Sequence, residues 1–182
     1  MTYQIQAGDI GFAHNRGLMG RLIRFGEWLK GKGLKRLWRR LRGEKIPLNE
    51  LWNHEFIVSK FENGEWWIIQ ATMEGVIESP LKSVAPGGRY ITLAPPIQCD
   101  RAKILEFAYS QVGTRYSILS DVAIGIDIVT WNWFPAFMNS YKRTWNCSGL
   151  TNEALRYAGW LHQWINVYTV TPQQGFDALK PQ

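Results

Sequence analysis

Glu55-Phe56-Ile57-Val58-Ser59-Lys60-Phe61, then Asn63-Gly64, then Glu65-Trp66-Trp67-Ile68-Ile69-Gln70-Ala71 is the stretch on which the fold turns. Two runs of strand-forming residues meet at Asn-Gly, the dipeptide that most readily adopts the two positive-φ positions of a tight hairpin turn. The spacing predicts a β-hairpin in the middle of the chain. Val76 to Leu81 and Arg89 to Ala94 read as two further short strands, separated by Pro86-Gly87-Gly88. Upstream, Gly8-Asp9 leads into Ile10-Gly11-Phe12, a turn followed by another short strand.

Helical patterns flank this β region. Asp100 is placed to cap a helix from Arg101 to Val112, with Ile104, Leu105, Ala108 and Val112 on its inner face and Gly113 as its stop. A second helix is expected from about Ser148 to Ala158, ended by Gly159. Val167 to Val170 reads as a last strand. Strands first and helices mostly at the two ends predict an α+β fold around a small antiparallel sheet.

The 182 residues suit one domain. The net charge of +6 is concentrated. Arg21 to Lys45 holds ten Lys/Arg and two Glu, leaving 11 basic and 13 acidic residues elsewhere. Gly20 to Leu29 and Leu34 to Leu41 read as short amphipathic helices within it, the second with Leu34, Leu37, Trp38 and Leu41 on one face and Lys/Arg around them. Such a helix either rests on an anionic surface, a membrane above all, or is simply solvated. No binding motif accompanies it, which makes nucleic acid an unlikely partner. Ten tryptophans also admit two readings, packing anchors or the lining of a cleft. The 117–142 stretch is aromatic, broken by Pro135, and reads as a lid-like segment.

The start MTYQIQAGDIGF carries neither a basic nor an apolar leader region, and no run reaches the roughly 20 apolar residues of a membrane span. Two cysteines provide no disulfide framework. These features predict a cytoplasmic protein with free thiols, soluble or peripheral at a membrane. Three scattered histidines and two distant cysteines lack metal-ligand spacing, so neither metal nor other cofactor is expected.

Trp145-Asn146-Cys147-Ser148-Gly149-Leu150 puts a cysteine at the entrance to a helix. Unpaired N–H groups and the positive end of the helix dipole favour thiolate over thiol there, and the same donors can hold an oxyanion. Cys99 also precedes a helix, but the neighbouring Asp100 carboxylate would raise its pKa. Cys147 is therefore the candidate nucleophile.

Cys-Ser-Gly-Leu entering a helix, with Gly113-Thr-Arg-Tyr116 upstream, resembles the NlpC/P60 papain-like superfamily, with Asn146 where that motif usually has aspartate. The histidine of ordinary members follows the cysteine. Here His162 is only fifteen residues on, in Gly-Trp-Leu-His-Gln-Trp, too close to lie on a separate sheet. Trp52-Asn53-His54 instead opens the first hairpin strand, which is similar to the circularly permuted, YiiX-like branch and its lecithin:retinol acyltransferase relatives. Gly8-Asp9-Ile10 and the run Gln70-Ala71, Glu74-Gly75-Val76 and Pro80-Leu81 fit the same pattern.

That resemblance implies a papain-like sheet or half-barrel packed on helices, with His54 as base to Cys147. Gln70 falls where the histidine-orienting residue is expected, with Glu74 as the alternative. Glu55 should point away from His54, to the other face of the strand. Tyr116 and Ser148 belong on the oxyanion and substrate side, although Tyr116 reads equally as a half-buried packing ring. The implied reaction is acyl transfer on a peptide or lipid acyl substrate. A silent papain-like binding module, using the basic segment on membrane or cell-wall material, is the alternative.

Overall fold

Asn63 and Gly64 both take positive φ, 54° and 79°. This is the turn geometry whose twist matches that of paired strands. It joins β2 (His54–Glu62) to β3 (Glu65–Thr72) with Glu62 opposite Glu65. In the computed structural model of the chain, residues 4–14, 41–42, 52–84, 89–116, 144–160 and 170–179 are described. The basic segment apart from Leu41 and Arg42, the 117–142 stretch, His162 and the 167–169 part of the expected last strand lie outside them.

Strands β1 (Ile10–His14), β4 (Gly75–Pro80) and β5 (Arg89–Leu93) complete an antiparallel sheet in the order β4-β3-β2-β1-β5. The alternation expected of strands decides its two faces. Ile10, Phe12, Ile57, Ile69, Ala71 and Val76 form one buried cluster with residues of two helices. Ala13, Phe56, Val58, Ile68, Leu81 and Val84 form a second cluster on the other face. Each large side chain removed from water here contributes about 1.5–3 kcal/mol before the cost of ordering is counted.

The helices are α1 (Arg101–Gln111), α2 (Cys147–Tyr157) and α3 (Pro172–Leu179). None in the described residues is long and apolar enough to cross a membrane. Asp100 caps α1 as the sequence predicts, accepting the Ala102 N–H at 2.8 Å. One expectation for α1 fails. Ile104 and Ala108 face the core, but Val112 is 41% exposed. Val112 falls just past the helix end, at ψ 131°, where the 3.6-residue period no longer sets its direction.

Two features were not expected from the sequence. A short parallel pair, β6 (Arg115–Tyr116) and β7 (Thr144–Trp145), sets Tyr116 opposite Trp145. The helix α3 closes the other end, with Phe176 edge-on to Phe12 at 5.4 Å and against Trp52 at 5.6 Å.

Candidate active site

Asn146 begins the site. Its extended backbone makes it the N-cap of α2, and its Oδ1 accepts the Gly149 N–H at 2.6 Å. A neutral amide oxygen does this as an aspartate would, at a typical worth of about 1 kcal/mol. Departure from aspartate therefore leaves the helix start intact. Cys147 is the first helical residue and is buried, 6% exposed, at the positive end of α2. Its Sγ lies 3.9 Å from Ser148 Oγ.

Side chains of α1 hold the approach to Cys147. Trp145 donates its indole N–H to Gln111 Oε1 at 2.9 Å and packs edge-on against Phe107. The Gly113–Thr114 turn is clamped to β4, with Gly113 N–H donating to Val76 O and Val76 N–H to Thr114 O, at 2.8 and 2.9 Å. Gly75 makes that clamp possible: its φ is 120°, and a Cβ there would stand 2.6 Å from Thr114 O. Glu74-Gly75-Val76 and Gly113-Thr-Arg-Tyr116, separate in sequence, are thus in contact. Tyr116 packs half-buried against the main core cluster.

The first residue of β2 is His54, half-buried. Its Nε2 is 2.7 Å from Gln70 Oε1, and the Gln70 amide nitrogen donates to Ser79 Oγ at 2.9 Å. Among the described residues this is the imidazole's hydrogen bond. An amide oxygen can only accept, so the neutral ring carries its proton on Nε2 and leaves Nδ1 as the basic nitrogen. Gln70, not Glu74, holds the ring; Glu74 sits in the exposed turn between β3 and β4, its N–H on Thr72 Oγ1.

Glu55 points to the opposite face, as expected, and is buried between α2 and α3. Asn152 Nδ2 donates to Ser148 O at 2.8 Å and stands 3.5 Å from Glu55 Oε2. A Cβ on Gly175 would meet Glu55 Oε1 at 2.5 Å. The first turns of α2, which start at Cys147, are in this way seated beside the chain neighbour of His54. From α3, Gln173 Oε1 accepts the Trp52 N–H at 3.2 Å and steadies the approach to His54. Sequence reasoning missed Asn152, Gln173 and Ser79. For Gln173 a signal existed, since Thr171-Pro172-Gln173-Gln174 forms a capping box: Thr171 N–H donates to Gln174 Oε1 and Gln174 N–H to Thr171 Oγ1.

Burial lowers the His54 pKa from its ordinary 6.5, against the raising effect of the Gln70 bond. The ring is consequently neutral at pH 7, as a base must be. Below 6.5 the unfolded chain binds a proton that the folded ring resists. Stability from this group is therefore intact above 6.5 and declines as pH falls from there through the lowered folded value. Thermal melts between about pH 5 and 8 are expected to show this decline in the wild type and a flatter curve in His54→Asn. Parallel curves would mean that the ring titrates alike in both states.

Cys99 is a free thiol, half-buried, and its pKa is raised. The direction agrees with expectation, but the cause is burial of the thiol. No protein-family model matches this sequence, and comparison with curated proteins finds no match.

Proposed function

We propose that the chain is a cysteine-dependent acyl-transfer hydrolase of the permuted papain-like kind, with Cys147 as nucleophile, His54 as general base and Gln70 as the residue orienting the ring. The observation that carries this reading is the 2.7 Å bond between His54 Nε2 and Gln70 Oε1. It leaves Nδ1 unprotonated on β2, the strand whose other face, through Glu55 and Ile57, seats the cysteine-bearing helix. Nδ1 takes the thiol proton, the thiolate attacks an amide or ester carbonyl, and the proton passes to the leaving group as the tetrahedral intermediate collapses to a thioester. Water, activated by the same nitrogen, then releases the acid.

The Gly149 and Leu150 N–H groups are both taken by Asn146, at 2.6 and 3.0 Å. An oxyanion at the mouth of α2 therefore draws on the Ser148 N–H. Tyr116, opposite Trp145, borders the substrate side. A peptide or lipid acyl group is the substrate class, and the basic 21–45 segment is the contact to an anionic surface.

The test is alkylation of Cys147 by iodoacetamide against pH, read by peptide mapping in wild type and His54→Ala. The pH midpoint rather than the rate is compared, because access to a buried thiol scales the rate at every pH. Cys99 in the same chain is the internal reference. Cys147 is expected to react with a midpoint below about 7, well under the free value of about 8.5, and to move upward by a unit or more in the variant. A midpoint near the free value, unmoved by His54→Ala, would sink the hydrolase and leave a binding module acting through the basic segment.

A further inference from the structure

We infer that Ser79 and Ser83 are positioning residues that fix which nitrogen of His54 carries the proton, by polarising the hydrogen-bond chain behind Gln70. The importance of this wiring for reactivity rests on the proposed pairing of Cys147 with His54; the wiring itself does not.

A glutamine amide is nearly symmetrical in shape. Turned over, Gln70 would offer N–H to the ring instead of C=O, the proton would move to Nδ1, and the basic nitrogen would become Nε2. Ser79 alone cannot prevent this, since a hydroxyl both donates and accepts. The direction comes from farther along. Pro80 ends β4, and the 3-10 turn Leu81–Ser83 brings Ser83 Oγ within 2.7 Å of Pro80 O and 3.2 Å of Ser79 Oγ.

A carbonyl only accepts, so the single hydroxyl hydrogen of Ser83 goes to the shorter bond, on Pro80 O. Ser83 Oγ is then an acceptor toward Ser79, whose own hydrogen fills the longer bond. Ser79 is left with lone pairs toward Gln70, and Gln70 Nε2 donates to them at 2.9 Å. Only Oε1 remains for His54. A backbone carbonyl at the end of β4 thereby sets the tautomer of an imidazole on β2, through three side chains. The sheet register supplies the reach: Ser79 pairs with Ile68, two residues from Gln70 on the same face of β3.

The experiment is 15N NMR of ring-labelled histidine in the full chain, at a pH where His54 is neutral, with the His54 signals assigned by their loss in His54→Asn. Wild type is expected to show a protonated Nε2 and an unprotonated Nδ1. In Ser79→Ala and in Ser83→Ala the minor tautomer is expected to gain about tenfold relative to the major one, the effect of one neutral hydrogen bond. Ser83 is exposed, so its variant folds even if Ser79→Ala does not. Adding Gln70→Glu to either serine variant is expected to restore the protonated Nε2, because a carboxylate needs no polarising chain to remain an acceptor. A merely structural role for the serines would not produce that rescue. A wild-type ring protonated on Nδ1, or tautomer ratios unchanged in folded Ser83→Ala, would overturn the inference. Tautomers that shift while Cys147 alkylation stays the same would spare the wiring and strike the hydrolase reading instead.

Discussion

Hydrolysis of an activated acyl ester or a fluorogenic peptide amide by this chain is expected to fall by about 10⁴-fold or more in Cys147→Ala. The proposed mechanism has no route to the thioester once the sulfur is gone, leaving only the donors at the mouth of α2 to assist water. His54→Ala is expected to cost about 10²–10⁴-fold, the usual share of a positioned base, and to cost little more when combined with Cys147→Ala. In the proposed mechanism the two side chains act on one step, so their losses overlap. Initial rates over a panel of acyl esters and peptide amides measure this, with folding checked by circular dichroism. Independent, multiplying losses would mean that the thiol and imidazole do not work as a pair, and an unchanged rate in Cys147→Ala would place the chemistry elsewhere.

Gly11→Ala is expected to destabilise the fold by about 3 kcal/mol, at the upper end for overpacking. That is a fall in Tm of roughly 6–12 °C for a chain of this size. Gly11 lies directly opposite Phe56 in the β1–β2 register, and the ring is fully buried. A Cβ on Gly11 would stand 2.0 Å from the ring carbons. Phe56 cannot swing away without leaving the cluster with Val58 and Ile68, on the face that also carries His54 and Gln70. Replacing Phe56 by leucine in the same chain is expected to recover part of the loss, because the smaller side chain vacates the space above Gly11. Thermal melts of the two variants decide it; an unshifted Tm in Gly11→Ala would mean that the ring relaxes at no cost.

Local signals accounted for much of what the fold became. Asn63-Gly64 placed the hairpin, Asp100 placed the start of α1, and Gly113 and Gly159 closed their helices at positive φ of 87° and 103°. These are decisions made within a few residues, by caps and turns whose chemistry travels with the side chain. The Thr171-Pro172-Gln173-Gln174 box is a signal of the same kind, and it starts a helix where the neighbouring Val167 to Val170 run suggests a strand. The signal for α3 was local and legible, and it went unread beside the strand pattern that precedes it. Val112 erred for a different reason: helical periodicity holds only as far as the helix, and the chain turns one residue earlier than the apolar pattern does.

Cys147 stood out by its place at a helix entrance, whereas His54 and Gln70 were picked out through the resemblance to permuted papain-like proteins. Pairing was not legible. That Gln70 rather than Glu74 reaches His54 depends on the β2–β3 register, where one residue of slip moves every side chain to the other face. That Glu55 and Asn152 join α2 to β2, 97 residues apart, depends on how a helix seats on a sheet. The direction proposed for the chain from Pro80 to His54 depends on five groups coming within hydrogen-bond reach at once. Nearest-neighbour chemistry writes elements into a sequence because each cap or turn is satisfied by atoms a few bonds away. A hydrogen-bond direction or a buried contact between distant strands exists only after packing has excluded water and left each donor one acceptor to choose.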